Sequence, residues 1–453
     1  MTKETLLTGK PWRGILTFML PVFLGLLLQQ FYNTADTIIV GNFSGEAALA
    51  AVGACSVLTM AFLALASGFS TGACVLIARL YGAGRTEQMR RQASSALIVM
   101  VGMGIAATAV GVLISRFALR YILDTPESLL DMADTYFKIY ALGLVFQFGY
   151  NIVSAILRGV GDSKATLYFL LIASVLNVVL DVLFVYNFRM GVAGAAIATD
   201  IAQIGSCAAA FLYMMKKYPV FRWKWRAFTF ELPLATLTLQ RGFPMALQQL
   251  IVSVGFVFLQ RAVNSYGEAM TASFTVAQKV ETYMTLPASA LMTTQSTYTA
   301  QNLGAGRPDR VITGAKHTVA ISETISICIL AAAYLFAEHI VALFRLGPEA
   351  TGYCTAHIRC AAVCLISFAS YFPLLGLFQG ANNALYATFV ATGALAVRVL
   401  STYMLQEIPA IGYHMIWWNM LFGWGVGCLL TWVHFFRGKW RSAAVIQTGA
   451  GLA

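Results

Sequence analysis

Twelve long apolar stretches follow one another along the chain, at residues 15–40, 48–77, 93–115, 136–157, 165–188, 192–214, 242–263, 270–299, 312–336, 354–378, 385–405 and 413–435, with most charged residues gathered between them. A helix needs about 20 apolar residues to cross a bilayer. The pattern therefore predicts an all-α polytopic membrane protein with twelve transmembrane helices, six in each half. The stretches are dense in Gly and Ala, which suits close helix packing where lipid removes the hydrophobic drive for helices to associate.

The two halves repeat each other. Gly45-Glu46-Ala47 recurs 222 residues later as Gly267-Glu268-Ala269, and Ala78 with Gly82-Ala83-Gly84-Arg85 recurs as Ala300 with Gly304-Ala305-Gly306-Arg307. Pro21 against Pro244 and Gly159 against Gly380 hold nearly the same offset. An even number of spans per half gives both the same orientation, hence parallel repeats about an axis along the membrane normal, with sites expected near the repeat interface. The expected division is 1–215 as an N-lobe, 216–240 as a cytoplasmic linker and 241–453 as a C-lobe with a short tail. The linker is basic and aromatic, from Lys216-Lys217-Tyr218-Pro219 to Arg222-Trp223-Lys224-Trp225-Arg226.

Composition fixes the medium. At 59% hydrophobic and 11% charged, with a mean hydropathy of +0.73, the chain is too apolar for a soluble domain of this length. Of its Lys and Arg residues, 21 fall on the side shared by both termini, 7 on the other, and Lys279 and Arg398 inside spans. By the positive-inside rule both termini are cytoplasmic, and the net charge of +11 reflects topology, with no nucleic-acid partner implied. The polar lead Met1–Gly14 runs into a full-length span with no cleavage layout, so it is expected to stay attached. The eight cysteines are scattered, the pair Cys360 and Cys364 being a weak signal, and the five histidines sit near span ends. There is no Walker-type phosphate loop, and neither His-Glu-x-x-His nor paired aspartates in a Gly-Asp motif, so no enzyme is read here and transport would be gradient-driven.

Charge within the spans is the functional signal. Of 19 acidic residues only Asp36, Asp181, Asp200, Glu281 and Glu323 fall there, each at an insertion cost of about 2.5–3.5 kcal/mol unless water or a partner compensates. Gln29, Asn33 and Asp36 lie on one face of the first segment, Asn177 and Asp181 on one face of the fifth. Asp36, Asp181, Thr199 and Asp200 share the outer third of the first half, and their hard oxygens suit an alkali cation or a carried proton. Lys279 and Glu281, two apart, face differently; each could line a cavity or join an ion pair between the lobes. Arg398 reads as paired to a neighbouring acid or carbonyl in preference to a substrate. Seventeen Met, thirty Phe and nineteen Tyr supply adaptable surfaces of the kind promiscuous sites use.

Pro21 with Gln29-Gln30-Phe31-Tyr32-Asn33-Thr34-Ala35-Asp36 and Val40-Gly41, Leu157-Arg158-Gly159 with Gly161-Asp162, Leu176-Asn177 with Leu180-Asp181, Gly191 to Thr199, and the doubled Gly-Ala-Gly-Arg loops together resemble the multidrug and toxic compound extrusion (MATE) family, in particular its bacterial DinF-like branch. The match covers nearly the whole chain. It implies two six-helix bundles around a central cavity, a bacterial inner-membrane location, and export of amphipathic organic cations in exchange for H⁺ or Na⁺. Residue by residue it implies coupling at Asp36, Asn177, Asp181 and Thr199, which would also hold any Na⁺, and a helix 1 bend at Pro21. Asp200 stands beside the pattern as a further coupling candidate; Gln29, Asn33, Gln248, Gln249 and Glu281 are substrate candidates. One branch carries acids on helices 7 and 10, but here helix 7 offers Gln248 and Gln249 and helix 10 has no Asp or Glu, which places coupling in the first lobe. The expected molecule is a monomer among lipids, without a cofactor beyond its coupling ion. The rival within the superfamily is a lipid-linked oligosaccharide flippase, whose anionic cargo would call for basic groups in the cavity.

Overall fold

The computed structural model describes residues 6–223, 228–408, 411–438 and 440–441. Lys224 to Ala227 of the expected linker and most of the C-terminal tail lie outside the described residues. The helices of the first half are α1 (Pro11–Ser44), α2 (Glu46–Gly82), α3 (Thr86–Phe117), α4a (Glu127–Leu142), α4b (Leu144–Gly159), α5 (Ser163–Asp181) and α6 (Gly191–Lys217). Those of the second are α7 (Leu232–Asn264), α8 (Glu268–Gly304), α9 (Pro308–Ala342), α10 (Pro348–Gly380), α11 (Ala384–Leu405) and α12 (Met415–Arg437). Wider π turns prolong α3 to Ile122 and α5 to Asn187. Among the described residues there is no strand.

All twelve expected segments fall on helices, most of which run several residues further at each end. The fourth segment differs in kind: it starts at Glu127 and breaks by 45° between Leu142 and Leu144, at Gly143. Among the described residues, ten helices are long and apolar enough to cross a membrane, eleven if the bent pair is one span. The remaining one, α8, has 37 residues but is rich in Thr, Ser and Gln, and it buries them. Buried Gln295 donates to Thr299 Oγ1 at 3.0 Å and accepts from Thr318 of α9 at 2.6 Å, which removes the cost of taking such groups out of water.

Contacts divide the chain into Leu24–Leu247 and a unit of Gln248 onward with the residues up to Phe23. The division therefore falls inside α1 and α7, three residues or fewer beyond Pro21 and Pro244, and not in the 216–240 linker. In the first unit, Gly68 and Gly72 of α2 meet the backbone of Ala246 and Gly242 so closely that a β-carbon would collide. In the second, Gly376 and Gly380 of α10 do the same against Met292 and Ser296. These are the backbone approaches that the glycine-rich composition allows.

The doubled Gly-Ala-Gly-Arg loops close α2 and α8 in the same way. Gly84 and Gly306 take left-handed φ values of 69° and 70°, and Arg85 and Arg307 donate backbone N–H groups to Leu80 and Asn302, which caps the last turn. At each loop, residues of the loop and its flanking helices hold the approach to the first helix of a repeat. Arg307, Arg310 and Asn302 donate to the carbonyls of Leu6, Leu7 and Gly9 ahead of α1. Ser94 and Ser95 of α3 accept from Thr229 and Glu231 ahead of α7, and Arg91 pairs with Glu231. Trp223 is 5% exposed and stacks on Phe228.

Candidate functional site

Three helices of the first unit bring oxygens together at a common depth. Asp36 lies eight residues before the end of α1 at Ser44, Asp181 six before Asn187, and Thr199 eight after the start of α6 at Gly191, so each is about 9–12 Å in from the same end at 1.5 Å per residue. Asn177, one turn before Asp181, donates from Nδ2 to Thr199 Oγ1 at 3.3 Å, and Thr199 donates to the Ala195 carbonyl at 3.0 Å. Asn177 and Asp181 are buried and Asp36 is half-buried.

The acceptors outnumber the donors. No N–H or O–H group reaches Asp36 Oδ1, Asn177 Oδ1 or either oxygen of Asp181. Asp36 and Asp181 lie within hydrogen-bonding reach of each other, yet two ionised carboxylates can only accept. The contact is a bond only when one of them carries a proton, and otherwise a site for a cation. Among the described residues no three His, Cys, Asp or Glu side chains converge on one point.

Tyrosines lie beside these oxygens, and sequence reasoning passed over them. Tyr32 neighbours Thr199 and Asp36, and Tyr136 neighbours Asp36, Tyr140 and Tyr32. The available signal was that Tyr32 precedes Asp36 by four residues and so shares its face of α1.

The Asp200 carboxylate packs against Gly143, the residue at which α4a and α4b break, where a β-carbon would collide with it, and it neighbours Tyr140. The adjacent position in α6 turns the side chain about 100° away from Thr199. Of the substrate candidates on α1, Gln29 is half-buried and Asn33 exposed; on α7, Gln248 is buried with Oε1 undonated and Gln249 is exposed. Pro21 is buried inside a continuous α1.

The second unit holds its own buried charges. Glu281 is buried while Lys279 is exposed, as their two-residue spacing requires. Glu281 lies 3.7 Å from His357 Nε2. His357 is the tenth residue of α10 and 1% exposed. Arg398 donates from Nε to Asn419 Oδ1 at 2.8 Å, a carbonyl partner as expected. Glu323 lies near Ser370, which accepts from Trp432 Nε1 at 2.8 Å.

A duplicated set of membrane-spanning helices with unsatisfied acids buried at one depth defines a membrane transporter, not an enzyme. The MatE family model matches residues 21–183 and 244–404, one repeat each, and the chain belongs to that family. It is 28% identical to the "Probable multidrug resistance protein YpnP" of Bacillus subtilis over 96% of this chain and 97% of that one. Its fold superposes with a TM-score of 0.91 on a crystal structure of MATE in the straight conformation, at 24% identity over 98% and 99% of the two chains. Against a crystal structure of MATE in the bent conformation the TM-score is 0.90, at 25% identity over the whole of both chains.

Proposed function

We propose that this chain exports amphipathic organic cations from the cell by exchange for a proton taken up at Asp36 and Asp181. The observation that carries this reading is the contact of those two carboxyl groups, which is a hydrogen bond only when a proton is shared between them. Proton and drug each bring one positive charge to a cavity that is stable with one, so entry of either favours departure of the other, and alternating access then yields obligatory exchange. The name of the Bacillus subtilis relative supports drugs as the cargo, and the two acids buried among the spans favour cationic ones. The chain works as a monomer in the inner membrane with both termini cytoplasmic.

Na⁺ is the competing coupling ion, and the free oxygens of Asp36, Asn177 and Asp181 with the Thr199 hydroxyl have the right hardness for it. The flippase reading has less support. Arg398, the basic group it would need, is bonded to Asn419 and lies over the rings of Phe256 and Trp424. The test is drug efflux from proteoliposomes with pH and Na⁺ gradients imposed separately. Accumulation driven by the pH gradient alone is expected; accumulation that requires Na⁺ at constant pH overturns the proton.

A further inference from the structure

We propose that a cavity at the outer end of the first lobe is the entrance by which protons reach Asp36 and Asp181, and that a buried valine layer beneath it turns Na⁺ away. This rests on the reading of the chain as a proton-driven exporter with cytoplasmic termini. The cavity has a volume of about 760 Å³ and opens where α1 ends at Ser44, α5 ends in its π turn at Asn187 and α6 begins at Gly191. Ser44 is the end of α1 away from the N-terminus, hence the outer end. The three helices that bound the cavity are the ones that carry Asp36, Asp181 and Thr199.

The faces that hold the acids lead to this cavity. Val185 follows Asp181 by four residues and Val192 precedes Thr199 by seven, so each lies on its partner's face, about one turn and about two turns farther out. On α1, Val40 and Phe43 follow Asp36 by four and seven. Phe43, Val185 and Val192 line the cavity together with Ala48 of α2. Beneath that lining the packing is dry. Val40, Ala48, Val185 and Val192 are all buried and belong to one apolar cluster with Tyr136, which neighbours Asp36. None of those four aliphatic side chains carries an oxygen.

Such a layer separates the two candidate ions. Na⁺ needs oxygen ligands in place of the water it sheds, and here it meets none, so its passage carries the desolvation penalty uncompensated. Hydrophobic constrictions of this kind gate channels by dewetting. A proton needs only a brief file of water. The innermost water gives its proton to a carboxylate oxygen of Asp181 and takes one from the water behind it; an O–H bond forms on Asp181 for each one broken on water, and the deficit passes outward to the cavity. The rim suits this use. Asn42, Ser44 and Asn187 offer water its hydrogen-bond partners, and no described lining residue is an Asp or Glu that would hold a cation there. A space with polar walls and this volume holds water, whereas cavities that stay empty are apolar. Arg189, exposed at the mouth and held in a left-handed φ of 53°, adds a positive charge that repels exported drug and Na⁺ alike.

Two measurements test the entrance and the filter, both as uptake of a fluorescent monovalent cation into proteoliposomes. Asn187→Cys, coupled in detergent to a bulky thiol reagent and then reconstituted, fills the cavity at an exposed position without touching the acids. Mass spectrometry confirms the coupling, and the unsubstituted protein treated alike controls for the eight native cysteines. A difference of one pH unit, which supports about tenfold accumulation before coupling, should support none after it, while gradient-free exchange of radioactive for unlabelled drug persists. Accumulation equal to that of the uncoupled variant overturns the entrance. Val185→Thr with Val192→Thr keeps the shape of the layer and adds two hydroxyl oxygens. Na⁺ at about 0.15 M should then depress pH-driven accumulation several-fold by competing for the acid pair, and leave the unsubstituted protein unaffected. Indifference of the double variant to Na⁺ overturns the filter; if that variant takes up no drug in Na⁺-free medium, Val185→Thr alone gives the same comparison. Accumulation that requires Na⁺ in the unsubstituted protein would refute the proton reading itself, and the coupled Asn187→Cys protein would still decide whether the cavity is the route.

Discussion

Asp181→Asn tests the shared proton most sharply, because it keeps the size and shape of a fully buried side chain and removes only a titratable oxygen. In the unsubstituted site, Asp36 and Asp181 can bond only through an exchangeable proton. In the variant the introduced side-chain amide donates a permanent N–H to Asp36, and no proton needs to enter or leave. If one proton drives out one monovalent cation, a gradient of one pH unit stores about 1.4 kcal/mol and supports about tenfold accumulation of drug. The variant should level off near a ratio of about one, because nothing couples drug movement to the gradient. The assay is uptake of a fluorescent monovalent cation into proteoliposomes under an imposed pH difference. Exchange of labelled for unlabelled drug, with no gradient, should persist and so demonstrates a folded protein. Tenfold accumulation by Asp181→Asn would show that the carboxyl pair is not the engine.

Three further outcomes are expected. Gly143→Ala should destabilise the protein by about 1–3 kcal/mol, read as a lower melting temperature in detergent, because its methyl collides with the Asp200 carboxylate; Asp200→Ala in the same chain should restore most of the loss, and no restoration would mean the break does not depend on that contact. Gln248→Ala should change apparent drug affinity several-fold, in line with about 0.5–1.5 kcal/mol for a neutral hydrogen bond, and leave dependence on the gradient intact; exposed Gln249→Ala should do less, and uncoupling by either would place the engine in the other lobe. Membrane-impermeant thiol reagents should label cysteines introduced at Glu46 and Glu268 in intact cells and miss those at Arg85, Arg307 and Lys216; labelling at Lys216 would invert the topology.

Much of the site was legible because helices make it so. Residues four apart on an α-helix share a face whatever surrounds them, so Asn177 and Asp181 could be paired from spacing alone, and counting residues from the end of each apolar stretch put Asp36, Asp181 and Thr199 at one depth. The same arithmetic could not separate Thr199 from Asp200, which are neighbours in sequence and equal in depth. Only the tertiary structure shows that Asp200 packs against Gly143, where α4a and α4b break. The burial of His357 beside Glu281 escapes the pattern for a related reason: distance from a span end says nothing about burial, and Glu281 is 76 residues away in sequence.

By itself, then, the sequence determined the medium, the twelve helices, the duplication and the faces of α1 and α5, since these follow from local periodicity, composition and repeated turns such as those at Gly84 and Gly306. The tertiary structure alone decided which polar groups are left without partners. A buried acceptor such as Asp181 Oδ1 is unsatisfied only in relation to every donor that other helices bring near it. It also decided where α1 and α7 pass from one unit to the other. Both are properties of packing between segments far apart in the chain, and no local pattern encodes them.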